Sequence, residues 1–218
     1  MLTRHQQSTI CSQLGNSKLK LLYKASIHGF TGAAFHQQCD TRCPTVSVGY
    51  NASGYVFGGY TKQPFCQSEQ YVHDDQAFLF TFSGEKLNKY PVTNPVYAVN
   101  VHANSGPYFG EDLVLVNGNQ AVVYSNPGNY YNFNAADMHG NDLQLTECEV
   151  YEVEGELTLN NCICCLAVWN TNMIHHDIYF IMFHDLSIPT DYSLPVFNSL
   201  ILLSTLVHCL NHFQDYTK

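Results

Sequence analysis

Residues 97–113 read Tyr97-Ala98-Val99-Asn100-Val101-His102-Ala103-Asn104-Ser105-Gly106-Pro107-Tyr108-Phe109-Gly110-Glu111-Asp112-Leu113. The run from Tyr97 to Val101 alternates as a strand does, and two glycines and a proline then bracket two large aromatics. Gly106 and Gly110 permit backbone angles closed to other residues and Pro107 fixes its own φ, so the chain must turn sharply. Tyr108 and Phe109 are then driven in different directions, at least one of them into a core. A glycine-rich loop beside a strand can also cradle a ligand. Here neither a helix N-terminus nor a lysine follows, which makes a poor phosphate cradle. The segment is expected to be a corner between strands, with Asp112 accepting backbone N–H groups of that turn in a structural role.

Outward from this corner the period-two signal continues. Val46, Val48 and Tyr50 share one face of residues 45–50, and the loop Asn51-Ala52-Ser53-Gly54 leads into a second strand at 55–60. Phe78, Phe80 and Phe82 line one side of residues 77–82. Residues 113–116 and 121–124 flank Asn117-Gly118-Asn119, a tight hairpin, because Asn-Gly accepts positive φ at low cost. A last strand covers 147–154, and its acidic residues Glu147, Glu149, Glu152 and Glu154 suit an exposed edge. Helices are expected at 3–14 and at 32–39, the second with Thr31 as N-cap. Strands outnumber helices and follow one another directly. The fold class is therefore mainly β with a few helices (α+β), in two antiparallel sheets.

The chain has 218 residues, 45% hydrophobic and 13% aromatic, enough for one well-buried domain. Charged residues make up 12%, about half the usual ~25% share. Eighteen acidic against nine basic side chains give a net charge of −9. No basic face is visible, which argues against nucleic acid and against an anionic membrane surface as partners. Eight of the nine basic residues lie at or before Lys89, and the ninth is Lys218. The N-terminus has no apolar run of the kind a secretory signal needs, so the nine cysteines are expected as reduced thiols.

After Glu154 the sequence changes character. Residues 155–218 are expected to be an atypical tail, poorly structured or carrying a short apolar helix. The apolar run Val196–Val207 is shorter than the ~20 residues that span a bilayer. The tail reads as a truncated or alternative transcript, or as read-through of non-coding sequence.

Six blocks in order carry a family resemblance. They are residues 21–30 (Leu-Leu-Tyr-Lys-Ala-Ser-Ile-His-Gly-Phe), Cys39 with Pro44–Val48, Val56–Tyr60, Gln76–Phe80, Gly106–Gly110 with Asp112-Leu113, and Glu149–Val153. Together they make residues 1–154 resemble a TLDc domain, most similar to the N-terminal part of the interferon-induced protein 44 family. The resemblance implies a β-sandwich of two antiparallel sheets with helices at the edges, and Gly106, Pro107, Phe109, Gly110 and Asp112 as its signature. It implies a non-enzymatic, cytoplasmic interaction module in innate immune and antiviral responses, without catalytic residues, cofactor or metal. Alternatively, it implies oxidative-stress resistance through binding subunits of the vacuolar proton pump. Full-length members of that family continue into a GTPase-like domain. This chain has no Gly-Lys pair from which to build a phosphate-binding loop.

A third class, a thiol or zinc enzyme, rests on Cys39, Cys43, Cys162, Cys164 and Cys165 or on Cys66. Cys39 also suits a small hydrophobe that ends a helix and packs inward. His175-His176 and the pair His208 and His212 lack the glutamate of a metalloprotease helix. His28 and His102 have no nucleophile set beside them by any motif. Tyr108, Tyr130, Tyr131 and Phe133 are candidate partner contacts, and they equally suit core packing.

Overall fold

Thr3 opens the first helix with a capping box. Its Oγ1 accepts from the Gln6 amide at 3.1 Å, and Gln6 Oε1 accepts from the Thr3 amide at 2.9 Å. The computed structural model describes residues 1–65 and 70–155. Cys66 and the tail from residue 156, with its cysteines, histidine pairs and apolar run, lie outside the described residues.

From the N-terminus the elements are α1 (Arg4–Gln13), β1 (Lys18–Lys24), α2 (Ala25–His28) and α3 (Gly32–Cys39). Then come β2 (Thr45–Asn51), β3 (Val56–Thr61), β4 (Tyr71–Val72), β5 (Phe78–Ser83) and β6 (Lys86–Pro91). β7 (Val99–Asn100), β8 (Tyr108–Phe109), β9 (Leu113–Val114), β10 (Tyr124–Ser125), α4 (Ala135–His139) and β11 (Leu145–Glu154) complete the order. Thr31 caps α3 as expected, accepting from the Ala34 amide at 3.1 Å.

All pairings are antiparallel, and they build the two expected sheets. One has the order β1-β11-β2-β3-β5-β6, the other β10-β9-β8-β7-β4. Apolar residues fill both faces of the larger sheet, in two clusters. Phe57, Leu79, Cys148 and Val150 point at the smaller sheet, where Val99, Phe109, Leu113 and Leu115 meet them. Val46, Val48, Phe78, Phe80 and Phe82 point the other way, under Leu2 and Ile10. Those last two flank or lie on α1, so this helix covers the outer face of the larger sheet.

Three local expectations change. Pro95, with fixed φ and no N–H, starts a 3-10 turn over Pro95–Tyr97, so only Val99–Asn100 of the first run is strand. The Asn117–Gln120 turn does form, with Gly118 at φ +59° and Asn119 at φ +60°, the type I′ combination. Its flanking strands are shorter than expected, Leu113–Val114 pairing with Tyr124–Ser125. Finally, β11 is no edge strand, since β1 and β2 pair on its two sides. Its glutamates therefore meet protein, and Glu149 is fully buried.

The inner face of β2 is made of small residues, Thr45, Ser47 and Gly49, and on β3 Gly59 follows Phe57 on the same face. Phe109 occupies the room this leaves. A Cβ at Gly59 would fall 2.6 Å from the Phe109 ring, closer than any real contact. Since Phe109 is itself fully buried, the ring has nowhere to retreat. Gly59→Ala should therefore cost about 1–3 kcal/mol, as overpacking does. In a urea titration the added loss should shrink when Phe109→Leu is present, because the smaller side chain vacates the overlap. Additive losses in the double variant would show that the ring does not rest on Gly59.

Candidate functional site

The Gly106–Gly110 corner uses its own amides. Gly106 N donates to Val116 O at 2.8 Å and Gly110 N to Ala98 O at 2.9 Å, while Pro107 O accepts from Leu115 N at 3.1 Å. The amides that would hold an anion are thus spent on neighbouring backbone. Gly110 sits at φ +59°, and a Cβ there would lie 2.8 Å from the Tyr130 ring. Phe109 turns inward and Tyr108 outward, as the corner requires.

Asp112 lies fully buried beside this corner, but its donors come from elsewhere. Oδ1 accepts from Asn129 N and Oδ2 from Tyr130 N, each at 2.9 Å, and its backbone O accepts from Asn126 N at 2.9 Å. The expected partners in the Gly106–Gly110 turn are replaced by the 126–130 loop, because the Gly106 and Gly110 amides are already given to Val116 O and Ala98 O. Burial pushes the Asp112 carboxyl up, against the pull of these backbone donors. The carboxylate ties two loops together and has both oxygens occupied.

Glu149 is another buried carboxylate with a full set of partners. Lys24 Nζ lies at 2.9 Å, Tyr50 OH at 2.7 Å and Tyr151 OH at 2.8 Å, with the N-terminal ammonium 3.8 Å away. Burial alone would raise its pKa. The lysine and two phenols outweigh that, so the carboxyl titrates below its ordinary range.

The remaining chemical candidates are likewise engaged. Cys39 ends α3 and is fully buried, and burial pushes its thiol well up, away from the reactive thiolate. No group of three or more His, Cys, Asp or Glu gathers to hold a metal among the described residues. His28 Nδ1 accepts from Lys24 N at 3.0 Å, and its ring stacks on Tyr23. His102 offers its carbonyl to His36 Nε2 at 3.0 Å, and its ring packs on Tyr108 at 5.1 Å.

The feature most suited to a partner is the outer face of the smaller sheet. Strand register aligns Tyr71, Asn100, Tyr108, Val114 and Tyr124 across β4, β7, β8, β9 and β10. At one end Tyr97 and Tyr130 stack at 4.9 Å, with Tyr71 edge-on to Tyr97 at 5.0 Å and its hydroxyl on Glu111. Tyr97, Tyr124 and Val96 are open to solvent. Of the four aromatic candidates, Tyr108 and Tyr130 are half-buried on this side. Tyr131 and Phe133 are buried in the core, Tyr131 donating its hydroxyl to Ala98 O at 2.7 Å. Tyr71 escaped notice because a two-residue strand leaves no period to read. Tyr97 escaped because the proline turn reorients it.

Two measurements check the buried carboxylates. Asp112→Asn keeps the shape but can accept only through its one amide oxygen, leaving one of the two loop N–H groups unpaired. The loss should be about 1–3 kcal/mol, and hydrogen exchange at Asn129 or Tyr130 should quicken. Glu149 has a folded pKa below its unfolded value, so its stabilisation is complete above the unfolded pKa and drains away as pH falls through the folded one. Glu149→Gln should accordingly flatten the decline of urea midpoint on the acid side, and an unchanged acid limb would contradict this.

The TLDc domain family matches residues 2–154. The zebrafish (Danio rerio) MTOR-associated protein MEAK7 is 31% identical over 62 residues, 28% of this chain and 14% of that protein. Human (Homo sapiens) interferon-induced protein 44 is 27% identical over 89 residues, 41% of this chain and 19% of that protein. The chimpanzee (Pan troglodytes) protein of the same name matches to the same extent. The matched part is thus a small fraction of each relative's length. The family match takes in both sheets, the Gly106–Gly110 corner and the Asp112 clasp, and on it the chain belongs to the TLDc domain family.

Proposed function

We propose that residues 1–154 act as a non-catalytic, cytoplasmic protein-binding module in the innate immune and antiviral response, with residues 155–218 as an appended tail. The observation that carries this reading is the tyrosine face of the smaller sheet. Tyrosine presents a large, rigid, amphipathic surface with few rotamers to freeze, which is why it is enriched where proteins meet. The stack of Tyr97 on Tyr130 with Tyr71 edge-on is already ordered, so little entropy remains to be lost on contact. The similarity to interferon-induced protein 44 supports the immune setting. The other relative is named for association with another protein, a precedent for binding rather than turnover.

No helix among the described residues is long and apolar enough to cross a membrane. The same face also suits the second reading, binding to vacuolar proton pump subunits in oxidative-stress resistance. Proximity labelling of the full chain in interferon-treated cells separates the two. The first reading expects strong induction of the transcript and a set of neighbours that excludes the pump. A Tyr71→Ser/Tyr97→Ser variant with unchanged melting should lose those neighbours. Pump subunits recovered with the parent chain and lost with the variant would replace the first reading with the second. Retention of every neighbour by the variant would move the binding surface elsewhere.

A further inference from the structure

The sequence shows no basic run, yet the fold gathers its cations. A cleft of about 1260 Å³ opens where the end of α1 meets the ends of β1, β11, β2, β3 and β5. Lys18, Lys20, Arg42, Lys62 and Lys89 line it, five of the chain's nine basic residues. They come from four separate places in the chain, which is why no motif announces them. Against them stand two carboxylates, Glu152 and Glu154, leaving a surplus of three positive charges in a chain of net charge −9. Those two carboxylates serve Lys20, at 3.6 and 3.5 Å, and Arg42, at 3.7 Å from Glu152. Lys18, Lys62 and Lys89 make no ion pair among the described residues. Lys89 instead lies 3.9 Å over the Phe78 ring, on the cleft wall that Tyr60 continues.

We infer that this cleft docks an acidic segment of a partner protein. The inference rests on the reading of the chain as a protein-binding module and supplies the partner chemistry for a second surface. Three lysines without a carboxylate partner among the described residues attract the carboxylates of such a segment, while Tyr60 and Phe78 are buried parts of the cleft wall. A nucleic acid is a poorer fit. Its charge would run beyond the cleft onto a surface dominated by acidic groups, and screening at physiological salt confines the favourable field to ~8 Å. A short acidic peptide keeps its charges within that range. All five cations are exposed, so they can be exchanged without disturbing the core.

Fluorescence anisotropy of the full chain with a short labelled peptide of Asp, Glu and Leu tests this. Saturable binding is expected, weakened by added salt and by about tenfold or more in Lys62→Glu/Lys89→Glu. Lys86→Glu, a lysine on β6 outside the cleft, should leave binding as it was. Equal binding of the Asn/Gln/Leu version would overturn the inference, as would indifference to the Lys62/Lys89 pair. Tighter binding of a single-stranded oligonucleotide or of phosphatidylserine vesicles than of the peptide would also overturn it. Failure here with neighbours still lost in the Tyr71→Ser/Tyr97→Ser variant would reject the cleft alone and leave the module reading standing.

Discussion

One phenyl ring resting on bare backbone joins the two sheets. Phe109 lies over Gly59, where no side chain would fit between them. Around it Phe65 and Tyr131 meet the ring edge-on at 6.2 and 6.5 Å. The Tyr131 hydroxyl then closes on Ala98 O, the same carbonyl that takes the Gly110 amide. The corner, the start of β7 and the 126–131 loop are thus fastened around one side chain. Asp112 completes the fastening from behind by holding the Asn129 and Tyr130 amides. With the ring seated on Gly59, the corner bears on the spacing between the sheets as well as on a turn within one of them.

Charge is divided between the layers. Every basic residue in the described part lies at or before Lys89, on α1, on the strands of the larger sheet or on the loops that join them. None of the strands of the smaller sheet carries one, and its outward row holds three tyrosines with the buried Asn100 and Val114 between them, uncharged apart from Glu111 at its rim. The asymmetry visible along the sequence therefore becomes an asymmetry across the sandwich. One face offers tyrosine, the other a cationic cleft.

The sequence predicted best where a local rule decides the structure. Thr31 before α3, the alternation of Phe78, Phe80 and Phe82, and the Asn-Gly turn at 117–118 each state their structure within a few residues. The Gly106–Gly110 corner was legible too, because glycine and proline restrict the backbone whatever surrounds them. The errors came where the partner is remote. Asp112 was assigned donors from its own turn, yet they arrive from residues 129 and 130. Glu147 and Glu149 looked like edge charges, since nothing in 147–154 says that β1 and β2 flank that strand. Tyr131 and Phe133 could not be sorted from Tyr130, as burial there follows from packing between sheets. The five cleft cations were illegible for the same reason, being scattered from Lys18 to Lys89.

The described buried polar groups bear on what kind of function this fold supports. A catalytic acid or base must keep one face toward substrate, with its pKa tuned by partners that leave that face open. Asp112 and Glu149 instead spend their oxygens on the backbone, on phenols and on a lysine, and Asp74 does the same with Thr61 Oγ1 at 2.6 Å and the Lys62 amide at 2.7 Å. Their chemistry is consumed in joining loops and strands. On the surface stand the ordered tyrosines on one side and, on the other, lysines without a carboxylate partner among the described residues. Because Tyr60 and Phe78 belong to the outer face of the larger sheet and the tyrosine row to the outer face of the smaller, occupation of one leaves the other accessible. If the two surfaces bind as proposed, their partners would sit on opposite faces of the sandwich, on either side of the Phe109 contact.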